Sequence, residues 1–269
     1  MNKVTVLISC MHQSGHDIIA RSNIQTDVIV VNQCDIDNEE RFTFVNRRGK
    51  ECYAIFYSTT ERGLSKSRNR ALDLSTNADI CIICDDDELF PDNYEEFVSQ
   101  QYENNKDLDV ATFAINWDER TYPTERMKMN FNRILRTSSQ QITFRRTSVV
   151  GKGIRFDEKM GSGTGNGGGE ENKFLLDCYK NGLKMEYFPD VLATINKGES
   201  QWFHGYTEKF FQNQGWSVRR LLGNVRGYAY IWFYVVKHHK LYKKDLSFTK
   251  ALKNIHKGFF VKGKCRFQL

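Results

Sequence analysis

The fold is decided by the stretch Ile80–Glu88, which reads Ile-Cys-Ile-Ile-Cys followed by Asp-Asp-Asp-Glu. Five apolar residues that end abruptly in carboxylates are typical of a strand buried on both faces, with its polar end at the edge of a sheet. Three more apolar, β-branched runs precede it, at Val4–Cys10, Val28–Val31 and Cys52–Tyr57. Together the four runs predict the parallel strands of an α/β sheet.

Helices are predicted to alternate with these strands. The first lies between the third and fourth strands, from Ser65 to Leu74, with Ser65 as its N-cap. This alternation predicts an α/β fold in which helices flank a mostly parallel sheet. Downstream, a glycine-rich loop at Gly161–Gly169 leads directly into a helix that begins at Glu170 and is closed by Gly182. The remaining predicted elements are a helix at Tyr94–Asn104 and strands at Val110–Trp117, Gln141–Arg145 and Met185–Ile195.

The end of the chain differs from the rest in charge. Residues 196–269 hold 15 of the 39 Lys and Arg and 3 of the 33 Asp and Glu, a balance of +12. Residues 1–195 hold the other 24 basic and 30 acidic residues, a balance of −6. We therefore divide the chain into an α/β domain at 1–195 and a basic, aromatic helical extension at 196–269. The positive charge predicts contact with membrane phospholipid or nucleic acid, unless it is only a solvated helix face.

Two helices are predicted in this extension. Trp202, Tyr206 and Phe210 recur at helical spacing, and Gly215 is expected to end the first helix. A long second helix is predicted from Ser217 to about Lys240, and its apolar residues are expected either to embed shallowly in a membrane or to pack against the body of the protein.

The cysteines and the apolar runs predict the compartment. Seven cysteines in a chain of this length indicate buried thiols in a reducing compartment. Cys81 and Cys84 are three apart on a strand, so their side chains point to opposite faces and do not share a metal ion. The first run, Val4–Cys10, is a strand rather than a signal peptide, and the longest apolar stretch, Tyr228–Val236, is too short to span a bilayer. We expect a cytoplasmic protein.

The acidic triplet is the first candidate for chemistry. Asp85 and Asp87 are two residues apart at the strand end, which predicts that both carboxylates point to the same side. Two such carboxylates suit a hard divalent ion, Mn²⁺ or Mg²⁺, that also takes diphosphate oxygens and water. The alternative is a polar strand end that caps the helix after Pro91.

The second candidate is the turn Arg62–Asn69, which opens a helix and is rich in Ser, Arg and Asn. Such a turn can bind phosphate or sugar at the amino end of the helix. It lies near the other polar loops that follow the strands, where α/β sheets bind ligands. Taken without those neighbours, it is an ordinary capped basic helix.

The third candidate is the glycine-rich loop with the two glutamates after it. Gly163, Gly165 and Gly168 fit G-x-G-x-x-G, but no strand directly precedes them, so a flexible loop that closes over substrate is the better interpretation. Glu170 and Glu171 begin the next helix, where carboxylates interact favourably with the helix dipole. Beside an acceptor hydroxyl, one of them is a general base, and we favour that role.

In order and spacing, these segments resemble the bacterial family 2 glycosyltransferases of polysaccharide synthesis, which have the GT-A fold. The resemblance covers about residues 1–195. The matching segments are Val4–Ser9, Val30–Asp35, Gly63–Asn69, Ile82–Asp87 and the run from Phe156 through the glycine-rich loop to Glu171.

The resemblance implies a fold, an activity and site residues. It implies a GT-A-like sheet and an inverting, metal-dependent transfer of sugar from a nucleoside-diphosphate donor to an acceptor hydroxyl. We expect a UDP-sugar donor and a role in capsule, O-antigen or exopolysaccharide assembly. The family usually has Glu-Asp where this chain has Glu170-Glu171, with the second acid as base, so Glu171 takes that role with Glu170 beside it.

The expected ligands of donor and metal follow from this resemblance together with the motifs described above. The residues expected to bind the nucleotide or the donor are Ser9, Asp35, Arg62, Ser65, Arg68, Asp85 and Asp86. The expected metal ligands are Asp87 and Asp85, with His204 as a third ligand or a diphosphate contact.

Two other functions stay open. A nucleotidyltransferase would need a glycine-rich, basic loop after the first strand, whereas Cys10–Gly15 has one glycine and no Lys or Arg. A nucleic-acid-binding module would use the basic tail, but the acidic body and the lack of a binding motif argue against it. The partners we expect are therefore a nucleotide-sugar donor, a saccharide or lipid-linked saccharide acceptor and the anionic inner face of the membrane, and not nucleic acid.

Overall fold

The structure is a computed structural model that describes residues 2–118, 120–195 and 205–261. Within these ranges the chain forms a ten-stranded sheet with helices packed on it. The strands are β1 (Val4–Met11), β2 (Asp27–Gln33), β3 (Asn38–Val45), β4 (Glu51–Thr59), β5 (Ile80–Cys84), β6 (Glu88–Leu89), β7 (Val110–Asn116), β8 (Met127–Lys128), β9 (Ile142–Arg145) and β10 (Met185–Ile195). The helices are α1 (Asp17–Arg21), α2 (Leu64–Leu74), α3 (Tyr94–Asn104), α4 (Phe131–Ile134), α5 (Arg146–Gly151), α6 (Glu170–Lys180), α7 (Glu208–Lys237), α8 (His239–Tyr242) and α9 (Phe248–Phe260), with one 3₁₀ turn at Ser139–Gln141.

The sheet has the strand order β3-β4-β2-β1-β5-β9-β7-β10-β6, and β8 also pairs with β10. β4, β2, β1 and β5 are parallel neighbours, as are β7 and β10. β9 runs antiparallel between β5 and β7 and separates these two parallel parts, and β3, β6 and β8 add antiparallel edges. The predicted α/β class is confirmed. The four runs quoted from the sequence form the first parallel part, so the loops after them meet at one edge of the sheet.

Apolar cores cover both faces of the sheet, which explains why its central strands are continuous apolar runs. Cys81 lies in the core on one face, with Leu7 and Phe144, and Cys84 lies in the core on the other, with Ile8 and Phe113. The two thiols therefore do point to opposite faces, as predicted. All cysteines among the described residues are free.

The predicted N-cap of α2 is wrong. The helix begins one residue earlier, and Gly63 is its N-cap, with φ 127° and no side-chain cap hydrogen bond. Ser65 is fully buried instead, and its Oγ donates to the carbonyl of Met160 at 2.9 Å. The edge strand β3 had no sequence prediction, because most of its side chains are polar or exposed and it pairs with β4 alone.

The prediction that Gly215 ends a helix is wrong, because α7 continues through this residue. Gly215 and Gly258 lie where α7 crosses α9, and a Cβ atom on either would overlap a backbone carbonyl of the other helix, from Ile255 or Gln212. These glycines therefore serve close helix packing. The break in α7 comes at Gly223, whose φ of 73° and ψ of −170° are not helical.

The first half of α7 packs against the α/β sheet. Leu221 and Leu222 pack on the core that contains Cys81, and Trp216 packs on Met160. Arg220 forms two hydrogen bonds to the carboxylate of Asp157, one of them with Nη2 and Oδ1 2.8 Å apart. In the part of the chain that is described, no helix is both long and apolar enough to cross a bilayer.

Candidate active site

The ends of β1 and β2 are tied to the start of α2 by polar side chains. Ser67 Oγ donates to Ser9 Oγ at 2.9 Å, and Gln33 Oε1 accepts from the backbone N–H of Gly63 at 2.7 Å. Ser9 is buried by this contact. Ser9 therefore lies at the candidate site, but its hydroxyl is already hydrogen-bonded within the protein.

Arg68 lies at the centre of the site, and only 1% of its surface is exposed. Its Nη2 donates to Asp85 Oδ1 at 2.8 Å, and its Nη1 donates to Glu170 Oε1 at 3.1 Å. Burial by itself would lower the pKa of this guanidinium, but the charges of Asp85 and Glu170 raise the pKa above its ordinary value. Arg68 therefore stays charged and joins the strand β5 to the helix α6.

Asp85 is held from both sides. While Arg68 binds Oδ1, Oδ2 accepts from Ser139 Oγ at 2.9 Å and from Gln140 Nε2 at 3.1 Å. These two donors were not predicted from the sequence, although the capping box from Ser138 to Gln141 is a local signal for the turn that carries them. Since both oxygens of Asp85 are already bound, its predicted role as a metal ligand is not supported.

Asp86 and Asp87 are exposed and form no ion pair with a described residue. The strand ends at Cys84 and the triplet turns away, so the alternation that predicted Asp85 and Asp87 on one side does not apply. Partial loss of hydration, followed by the charge of Asp85, raises the pKa of Asp87. Among the described residues, no three His, Cys, Asp or Glu side chains converge as a metal site. His204 lies outside the described residues.

The donor-binding predictions for Ser65 and Arg68 are corrected by their burial. Both side chains face inward from α2 and use their polar atoms within the protein. Arg62 and Asp35 differ, because they lie at the sheet edge and pair with each other at 2.7 Å. Arg62 Nη1 also donates to the carbonyls of Cys34 and Thr59, at 2.7 and 3.1 Å. This pair is exposed enough to meet a ligand.

The glycine-rich loop is packed between α2 and α7. A Cβ atom on Gly163 would lie 3.1 Å from the Cα of Gly63, and one on Gly161 would lie 2.9 Å from the Glu170 carboxyl carbon. On Gly167, a Cβ atom would overlap Asn213 and Ser217 of α7. The structure thus explains these glycines by close packing and positive φ, rather than by the free movement that the sequence predicted.

The two glutamates that follow the loop have different surroundings. Glu170 is buried and bound to Arg68, whereas Glu171 is half-buried and its carboxylate forms no ion pair with a described residue. Burial, followed by the charge of Glu170, raises the pKa of Glu171, while Arg68 opposes this shift. A carboxylate that is desolvated and unpaired in this way is a stronger base than one in water.

Comparison with known proteins identifies the class of this fold and site. The sequence profile of glycosyl transferase family 2 matches residues 9–158, more than half of the chain. This chain belongs to that family, and among the functions left open by the sequence the family favours glycosyl transfer. A curated relative, the uncharacterized glycosyltransferase YibD of Escherichia coli (strain K12), is 24% identical over 141 residues, which cover 47% of this chain and 40% of the relative.

Solved structures share the GT-A-like fold. The structure of S. aureus TarS 1–349 in complex with UDP-GlcNAc has a TM-score of 0.59 at 15% identity, covering 90% of this chain and 74% of that one. The mannosyltransferase PcManGT from Pyrobaculum calidifontis, in complex with GDP-Man and Mn²⁺, has a TM-score of 0.55 at 14% identity, covering 96% of this chain and 74% of that one.

We predict that Arg68→Gln lowers the free energy of unfolding by about 3–5 kcal/mol, because it leaves buried carboxylates without their counter-charge. The matched control is Arg70→Gln on the same helix, where the guanidinium is exposed and lies over the ring of Tyr57. That change should cost no more than about 1 kcal/mol. Denaturant unfolding measures both values, and equal stability of the two variants would contradict the central role of Arg68.

Proposed function

We propose that this chain is an inverting, metal-dependent glycosyltransferase that moves a sugar from a nucleoside-diphosphate donor, a UDP-sugar, to an acceptor hydroxyl. The observation that carries the proposal is the buried Arg68, which places the acidic turn after β5 beside the two glutamates that begin α6. The residues that we assign to the leaving group therefore lie near the residue that we assign as the base. The complexes of S. aureus TarS with UDP-GlcNAc and of PcManGT with GDP-Man support a nucleotide-sugar donor.

The donor is assigned to the loops that follow β1, β2, β4 and β5. Arg62 and Asp35 form its outer side, and their ion pair can open to bind phosphate or the nucleoside. Asp85 and Asp86 face the ribose or the sugar from the end of β5. The buried Ser9, Ser65 and Arg68 do not contact the donor. They stabilise these loops through hydrogen bonds within the protein.

A divalent cation, Mn²⁺ or Mg²⁺, fits the charges of the site. Two carboxylates, those of Asp85 and Glu170, share the buried guanidinium of Arg68, and the exposed Asp86 and Asp87 follow Asp85 directly with no ion pair to a described residue. Asp87 would hold the ion, because its carboxylate is exposed and unpaired, and a hard oxygen ligand suits both metals. When bound, such an ion neutralises the charge that grows on the departing diphosphate.

Glu171 is assigned as the general base, and Glu170 as its positioning residue. The Glu171 carboxylate takes the proton of the acceptor hydroxyl, and the hydroxyl oxygen attacks the anomeric carbon opposite the leaving nucleoside diphosphate. The new glycosidic bond forms as the bond to the diphosphate breaks, which inverts the anomeric configuration. Glu170 is bound to Arg68 and holds the first turn of α6 in place.

We assign the acceptor to capsule, O-antigen or exopolysaccharide assembly, and the extension at 196–269 to the cytoplasmic face of the membrane. The second half of α7 and the outer side of α9 form an exposed aromatic surface, which we call the α7–α9 surface: Tyr228, Trp232, Val236 and Phe260. The rings of Tyr228 and Phe260 are 6.0 Å apart, so the two helices share it. Lys253 and Lys257 of α9 are exposed beside it, as anionic lipid would require.

Metal dependence is tested on the exposed carboxylate of the acidic turn. We predict that chelator abolishes transfer, and that Asp87→Asn loses at least about 100-fold in turnover, since charge on the leaving diphosphate is no longer neutralised. Asp92→Asn in the following turn is the control. Turnover with UDP-sugars and added Mn²⁺ measures the effect. Full activity in excess chelator would exclude a metal.

The role of the base is tested with paired glutamate variants. Glu171→Gln should lower turnover by about 10²–10⁴ while donor affinity, measured by calorimetry, stays unchanged. Glu170→Gln should instead lower the free energy of unfolding, because it weakens the partner of Arg68. If Glu170→Gln abolishes turnover in a stable protein while Glu171→Gln does not, the assignment of the base is wrong.

The pH profile gives a second test of the base. The base acts only when ionised, and the pKa of Glu171 is raised, so kcat/KM should fall as pH drops through a value above that of an ordinary carboxylate. In the Glu171→Gln variant, the residual kcat/KM measured at saturating metal should not show this fall at low pH.

Membrane binding is tested by flotation with vesicles that contain anionic phospholipid. Trp232→Ser combined with Phe260→Ser should weaken binding by at least about tenfold, because two exposed rings no longer enter the interface. Val45→Ser, an exposed apolar residue on β3, is the control and should bind as the parent does. Absence of parent binding at low salt would contradict the membrane assignment.

A further inference from the structure

A cavity of about 700 Å³ lies on the part of the sheet that is formed by β7 and β10. The residues that line it include Thr112 of β7, Tyr187 of β10 and Gln141, the last residue of the 3₁₀ turn before β9. In the strand order, β5 and its Asp85 separate this part of the sheet from β1, β2 and β4, whose loops we assign to the donor. The cavity is thus on the opposite side of Asp85 from the donor loops.

One wall of the cavity is shared with the candidate active site. Thr137 and Gln141 line the cavity, and the two residues before Gln141 donate hydrogen bonds to Asp85. The carbonyl of Thr137 accepts from Asn172 Nδ2 at 2.8 Å, and Asn172 directly follows the proposed base. The wall of this cavity therefore contacts both Asp85 and the first turn of α6.

The charges of the cavity are of one sign. Arg120, Arg133 and Arg136 line it, and none of its described lining residues is acidic. Arg133 and Arg136 form no ion pair with any described residue, and Arg120 lies over the ring of Trp117, 3.5 Å from its centroid. Because three guanidiniums line the cavity and no acidic residue does, an anion that enters it is attracted.

A second cavity, of about 650 Å³, shows that this arrangement is not a general feature of the surface. Its lining holds four acidic and three basic side chains: Asp73, Asp157, Glu158 and Asp177, with Lys152, Arg155 and Lys173. Acidic groups outnumber basic ones there, so this cavity offers no comparable attraction for an anion.

We infer that the arginine-lined cavity binds a phosphate group carried by the acceptor, an inference that rests on the proposed function. Guanidinium groups bind phosphate oxygens through paired N–H donors, and three of them match a phosphate or phosphodiester better than a single carboxylate. The acceptor hydroxyl then reaches towards Glu171 while its phosphate stays over β7 and β10. Donor and acceptor phosphates occupy separate parts of the sheet edge, on either side of Asp85.

The test uses glycerol 3-phosphate as a minimal probe, titrated by calorimetry into protein that is saturated with UDP and Mn²⁺. Filling the donor site in this way prevents the probe from binding there. We expect glycerol 3-phosphate to bind, while neutral glycerol does not and glucuronate binds at least tenfold more weakly. The Arg133→Gln Arg136→Gln double variant should bind the probe at least tenfold more weakly, with UDP affinity unchanged. The control is Arg226→Gln, an exposed arginine on α7 outside the cavity.

Three outcomes would overturn the inference. The first is that the double variant binds the probe as tightly as the parent, and the second is that it loses UDP affinity in parallel. The third is that glucuronate binds as tightly as glycerol 3-phosphate. Retained UDP binding shows that the double variant is folded. Failure of the parent protein to bind UDP would contradict the proposed function. The probe titration is therefore repeated without UDP, and weaker probe binding by the double variant would then still support a phosphate site in the cavity.

Discussion

The structure depends on one buried guanidinium, that of Arg68, and on the two carboxylates it binds. Asp85 and Glu170 are 17 and 102 residues from Arg68 in the sequence, and they come from a strand end and a helix start. Removing a charge from water is costly unless a partner compensates it, so the arginine and its carboxylates must be buried together. This requirement fixes α2, β5 and α6 relative to one another and thereby brings the acidic turn beside Glu171.

Close backbone packing is the second constraint around this site. Gly63 and Gly163 meet where the glycine-rich loop passes the start of α2, and Gly167 meets α7. Side chains at these positions would push the loop away from both helices. Since the loop leads into α6, its packing holds Glu170 and Glu171 in place, and the first half of α7 thereby becomes part of the support of the candidate site.

Charge is distributed over the molecule in separate regions. The carboxylates of the acidic turn and of the start of α6 lie at the candidate active site, and three arginines line the cavity on the other side of Asp85. The outer side of α9 carries lysines beside exposed aromatic rings. Each region attracts a different kind of ligand in the functions we propose: a divalent cation, a phosphate and a lipid surface. The net charge of +6 conceals this division, because it sums regions of opposite sign.

The sequence by itself determined the parallel strands, the acidic turn and the paired glutamates, because continuous apolar runs and abrupt polar ends are local signals. It identified the family for the same reason, since the order of those segments lies along the chain. Local patterns did not reveal that Ser65 and Arg68 are buried, that Ser139 and Gln140 bind Asp85, or that Gly215 serves a helix crossing. Nor did they show that scattered arginines meet in one cavity. Each of these facts joins residues from distant parts of the chain, and only tertiary packing decides which side chains face one another and which face water.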